Sequence, residues 1–205
     1  MPNAKTHDAI AMASCLPLAP LSYLALTSVG DTPERAAMGT AWLLGAHLVG
    51  SFWLSPDLDL DSAIDDRWGP LFWIWWPYMW LVPHRHRIFS HSGFSALIRL
   101  GYLYFVILGL LIGWAFIMGR FGVIAERAYY LVFNDWIQTT LVEHRREAFL
   151  VASGAVISDL IHTTADYLVT RGKRLLRIFG VRITRDYSDH DRWRPRRPRR
   201  RARFW

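Results

Sequence analysis

The chain has 205 residues, 52% of them hydrophobic, with a formal net charge of +7. Its mean hydropathy is positive, at +0.13, despite an intensely basic C-terminus, so the part before that tail is more apolar still. This is one domain's worth of chain, and Cys15, its single cysteine, excludes an intrachain disulfide and a cysteine-based zinc site.

The first apolar run, residues 9–29, carries no charge and is long enough to cross a hydrocarbon core. It is too long for the apolar core of a cleaved signal peptide, and Pro17 and Pro20 interrupt it. Residues 36–54 form a second uncharged run, in which His47 is the only titratable group. The shorter run 68–83 holds Pro70, Pro77 and Pro83 together with Trp68, Trp73, Trp75, Trp76 and Trp80. Prolines at that density oppose a straight spanning helix, and tryptophan favours the headgroup layer, so an interfacial or re-entrant segment is expected. Residues 100–118 are a third uncharged span. Residues 123–147 have helix-like spacing and many aromatics, which suits a helix lying on the membrane. Residues 148–169 are a fourth apolar run that contains Asp159, His162 and Asp166.

The expected fold is therefore all-α: a polytopic helical membrane protein with about four spanning helices and a Trp-rich interfacial segment. With the N-terminus inside, the inner segments hold eighteen Lys/Arg and the outer ones five, an asymmetry that supports both termini in the cytoplasm of a multi-pass inner-membrane protein. Residues 1–170 form the helical domain and 171–205 a basic tail. Residues 192–205 carry eight Arg and two Pro, a composition that forbids a compact fold in isolation. Anionic lipid headgroups are the expected partner of that tail. Nucleic acid is the weaker reading, because no recognition fold accompanies the charge.

This topology brings four polar clusters to one membrane face. They are His7-Asp8, the alternating Asp57, Asp59 and Asp61, the group His84, His86 and His91, and the set Asp159, His162 and Asp166. The last follows i, i+3, i+7 spacing and so stacks on one helix face. Imidazoles and carboxylates converging on one place are what a divalent cation needs. Three of the clusters also have a plainer reading. The Asp series could be a solvated acidic turn, although it lacks the glycine and closing Glu of a calcium loop. His84 to Arg87 could be a headgroup-binding basic patch, and the last set could be hydrogen-bonded packing polars. His47, with no acidic neighbour in its span, reads as a packing residue. His144, on the outer side, and His190, in the tail, are set aside.

The pattern Thr6-His7-Asp8, Pro56-Asp57-Leu58-Asp59, Arg67-Trp68-Gly69, Trp75-Trp76-Pro77-Tyr78, His86-Arg87 to Ser90-His91 and His162-Thr163-Thr164-Ala165-Asp166 resembles a family of small bacterial metal-binding membrane proteins of unknown function, frequent in cyanobacteria. It is more distantly similar to inner-membrane metal-dependent hydrolases marked by His-Arg-Gly-x-Thr-His-Ser; here Ile88 replaces the Gly and Ser90 the Thr. The resemblance covers residues 1–170. It implies His7, Asp57, Asp59, His86, His91 and His162 as metal ligands, for one ion with supporting groups or for two ions. Asp8, Asp61, Asp159 and Asp166 would orient the imidazoles, and Arg87 would hold a phosphate or carboxylate of a substrate. A mixed His/Asp set suits zinc, manganese or iron. Two functions compete: a metal-dependent hydrolase of the membrane face acting on a lipid-derived or phosphate-containing substrate, and a non-catalytic metal-binding sensor, store or assembly factor.

Overall fold

The computed structural model describes residues 4–59, 63–81, 93–125 and 127–178, and all the regular structure in them is helical. Helix α1, Ala4–Ser28, runs through Pro17 and Pro20 without ending. Helix α2, Pro33–Phe52, follows a tight turn. Gly30, at φ 95°, takes the left-handed conformation that closes this turn. Thr32 then caps α2 by accepting from the Arg35 backbone N–H at 3.4 Å. The two helices form an antiparallel hairpin, with Ser22 Oγ 3.3 Å from Thr40 Oγ1 near the turn and Ser14 Oγ 2.8 Å from His47 Nε2 further along.

After α2 come a 3-10 turn, Pro56–Asp59, the short helix α3, Ala63–Trp68, a second 3-10 stretch, Gly69–Trp75, and α4, Trp76–Leu81. The Trp-rich run is thus several short helical pieces, as its prolines require. Trp75 and Tyr78 are buried with Leu54 and Leu58. The Trp75 and Tyr78 rings meet edge to face at 5.7 Å. Trp73, Trp76 and Trp80 of the same run stay exposed. Helix α5, Gly93–Arg120, closes this cluster through Tyr102, whose hydroxyl donates to the Ile74 carbonyl at 2.5 Å. Helix α6, Ala128–Ile137, passes through a π-helical turn, Gln138–Glu143, into the long helix α7, Arg145–Ile178.

Helices α2 and α7 run parallel. Gly39 of α2 faces Arg146 and Leu150, Gly50 faces Ser158, and a Cβ on Gly154 would lie 2.2 Å from the Leu43 carbonyl oxygen. Glycine at these contacts lets the backbones approach closely. The start of α1, the end of α2, the start of α5 and the latter part of α7 thereby meet at one end of the bundle. The chain divides into two compact units, Met1–Tyr167 and Leu168–Trp205. In the second, residues 168–178 are described, as the end of α7.

Among the described residues three helical stretches, rather than the four expected, are long and apolar enough to cross a membrane: Lys5–Ser28, Phe94–Arg120 and Arg145–Gly172. The expected second span is α2, and the correction has a physical cause. Its 20 residues open on Pro33-Glu34-Arg35, and Thr40, His47, Ser51 and three glycines dilute the remainder. Much of that dilution is the face it packs inward, where Gly39, Thr40, His47 and Gly50 are buried.

Candidate metal centre

His7 lies in the first turns of α1 and His162 on α7, 155 positions apart in the numbering, yet their rings stack at 3.9 Å with an interplanar angle of 11°. Asp166, one turn after His162, closes the group. Its Oδ1 is 3.3 Å from His7 Nε2 and its Oδ2 is 3.6 Å from His162 Nε2. One ligand atom from each of the three residues lies within 4.8 Å of the other two. The side chains of His7, His162 and Asp166 are only 11%, 7% and 14% exposed.

These donors suit a cation. Apart from their contact with one another, His7 Nε2 and both Asp166 oxygens are buried without a hydrogen-bond partner among the described residues. Buried polar atoms are ordinarily paired, and a buried carboxylate needs a compensating charge. Two imidazole nitrogens and a carboxylate within 4.8 Å of one another are a donor set that zinc, manganese or iron takes. A cavity of about 10 Å³, room for one water, adjoins the group and is lined by His7, Ile10, Ala11, Ser51, Ser158 and His162.

Buried polar residues surround the cluster. Ser55, just past α2, places its Oγ 3.4 Å from His162 Nδ1. Arg99 of α5 is 1% exposed. It donates from Nε to the Leu54 carbonyl at 2.7 Å, from Nη1 to Ser95 Oγ at 3.2 Å, and from Nη2 to Asp159. Ser95 Oγ also donates to Asp159 Oδ2, at 2.7 Å. Asp8 forms an ion pair with Arg67 at 2.5 Å, tying α1 to α3. His47 is fully buried, and its Nε2 lies 2.8 Å from Ser14 Oγ and 3.2 Å from the Ala11 carbonyl.

Of the residues singled out in the sequence, the structure brings together His7, His162 and Asp166. Asp166, expected to orient an imidazole, lies with its carboxylate against the Nε2 atoms of both rings. Asp159 sits on the same α7 face but binds Ser95 and Arg99, and Asp8 binds Arg67. The backbones of Asp57 and Asp59 form the 3-10 turn that follows Ser55. Asp61, His84, His86, Arg87 and His91 lie outside the described residues. His144, set aside from sequence, is 62% exposed and pairs with Glu147 at 3.8 Å. Sequence reasoning missed Ser55 and the task of Arg99. For Arg99 a signal existed, since a cation in the first turns of a long apolar helix needs a partner; for Ser55 there was none.

Residues 2–176 match the family described as "Uncharacterized metal-binding protein (DUF2227)". A relative from Aquifex aeolicus (strain VF5), described only as "Uncharacterized protein", is 30% identical over 130 residues, covering 62% of this chain and 89% of its own length. No solved structure matches the chain.

Proposed function

Since the chain belongs to the DUF2227 family of uncharacterized metal-binding proteins, we propose that His7, His162 and Asp166 are its metal ligands, in a membrane-embedded hydrolase. The observation that carries the ligand assignment is the meeting of three buried donors from opposite ends of the chain within 4.8 Å. A divalent ion bound there supplies Lewis acidity and lowers the pKa of a coordinated water. Asp166 holds the balancing negative charge between the two rings, and the His7–His162 stack fixes both Nε2 atoms toward it. Three donors stand together among the described residues; a catalytic ion would keep a coordination position for water beyond its protein ligands.

The membrane setting is supported by the three long apolar helical stretches and by what they leave uncovered. Leu16, Leu24, Phe105, Trp114 and Phe149 are among many large apolar side chains exposed on the long helices, more than a water-facing surface tolerates. In this reading α2, packed antiparallel on α1, carries the chain back across the membrane, and the Lys/Arg bias favours the cytoplasm for the side that holds both termini. The site then opens at the cytoplasmic face, where a lipid-derived or phosphate-containing substrate is presented. The Arg-rich tail binds anionic headgroups there, at about 1 kcal/mol per arginine near the surface.

Elemental analysis of the full chain purified in mild detergent tests the reading. Zinc, manganese or iron should be retained by the parent and by His144→Ala, and should fall sharply in His7→Ala and His162→Ala. Equal metal content in all four proteins would overturn the site. His86→Ala and His91→Ala bear on the reaction. Loss of metal in both would add two ligands and turn the assignment toward a closed, non-catalytic shell, whereas retention would leave the open site required for hydrolysis.

A further inference from the structure

We propose that Ser55 and Arg99 are positioning residues for the metal centre: Ser55 holds His162 in the tautomer that presents Nε2 to the ion, and Arg99 locks Ser55 and His162 into register. The inference rests on His162 being a ligand.

A histidine that binds through Nε2 carries its proton on Nδ1, and that N–H needs an acceptor to fix the ring's tautomer and rotation. His162 Nε2 faces Asp166, so Nδ1 is the far nitrogen, and Ser55 Oγ lies 3.4 Å from it. Both residues are buried, Ser55 at 2% exposure and His162 at 7%, so the contact is a buried one. The serine hydroxyl accepts from Nδ1–H and leaves the Nε2 lone pair for the cation.

Ser55 lies in the turn beyond α2, and such a turn can hold a ring only if it is itself held. Two contacts do this. The Leu58 N–H donates to the Ser55 carbonyl at 3.0 Å, and Arg99 Nε donates to the carbonyl of Leu54, the preceding residue, at 2.7 Å. Nη2 of the same guanidinium binds Asp159, which is three positions before His162 on α7. One planar side chain thus grips the backbone beside Ser55 and the helical turn beside His162. A pair serving only to neutralise buried charge has no need of the Leu54 contact. Lysine, with a single ammonium, lacks the rigid fork that addresses the Leu54 carbonyl, Ser95 and Asp159 together.

Cobalt(II) titration of the full chain in mild detergent, followed by its visible absorption, tests this. Ser55→Ala should weaken cobalt binding by about 10- to 100-fold, the usual effect of losing a partner that orients a metal-bound histidine, and should shift the cobalt bands. Ser55→Thr, which keeps the hydroxyl, should restore both. Arg99→Lys should weaken binding and shift the bands in the same direction. Unchanged affinity and spectrum in Ser55→Ala, beside lost binding in His162→Ala, would overturn the inference and leave the metal centre standing. Failure of Ser55→Thr to restore the parent's behaviour would also overturn it, because the loss would then come from packing. Retained cobalt in His162→Ala would remove the ligand and the inference together.

Discussion

The Arg99–Asp159 pair is the place where one substitution should tell most about how the site end of the bundle is held. Asp159 is fully buried and Arg99 is 1% exposed, so water screens neither charge. Asp159→Ala removes the carboxylate that accepts from Arg99 Nη2 and from Ser95 Oγ. It leaves the guanidinium facing only the Leu54 carbonyl and the Ser95 hydroxyl. Hydrogen bonds to a charged group contribute roughly 1.5–3 kcal/mol each, and orphaning one partner of a buried pair costs about 3–5 kcal/mol. The two routes agree. For a chain of this length the loss corresponds to a fall in Tm of roughly 6–20 °C. Asp159→Asn keeps an acceptor without the charge and should fall between parent and Asp159→Ala. The double change Arg99→Met with Asp159→Leu removes both charges and should recover part of the loss, since the Leu54 carbonyl left without its donor still costs roughly 1–3 kcal/mol and Ser95 Oγ loses its acceptor. Thermal unfolding in mild detergent, followed by circular dichroism, reads all four proteins. Because the pair is buried, the differences should survive high salt. A fall of less than about 2 °C in Asp159→Ala would refute the reasoning. So would a difference that disappears in high salt, since water would then reach the pair.

Three further outcomes are expected. Asp166→Asn keeps the volume but removes the charge between the two imidazoles, so metal affinity should fall by at least about tenfold without loss of helicity by circular dichroism; full retention of affinity would make Asp166 a packing polar. Gly154→Ala puts a Cβ 2.2 Å from the Leu43 carbonyl oxygen and 3.0 Å from the His47 nitrogen, forcing α2 and α7 apart at a cost of about 1–3 kcal/mol or more. In the same thermal assay Gly45→Ala, with nothing within 4 Å, should be neutral or stabilising by roughly 0.5–1 kcal/mol. Reporter fusions after Arg35 and after Arg120 should read as external and one after Gly172 as internal; an external reading at Gly172 would show that α2 does not carry the chain back across the membrane.

The long helices were legible from sequence because the signal is local. Uncharged runs of bilayer length give helices whatever surrounds them, and the prolines of 68–83 forbid a continuous one. The stacking of Asp159, His162 and Asp166 on one face of α7 follows from the 3.6-residue repeat alone. Tertiary structure decided how those residues are used. Asp159 and His162 share a face, yet the first binds Arg99 of α5 and the second stacks on His7 of α1. Which neighbour each meets depends on how deeply α2 seats against α7, and Gly39, Gly50 and Gly154 set that depth. The same packing explains why α2 is less apolar than a lipid-facing helix, since its polar and small residues are spent on neighbouring helices. Helical periodicity is fixed within a turn by the backbone, whereas a candidate site drawn from residues 7, 162 and 166 exists only once helices far apart in the chain have chosen their register.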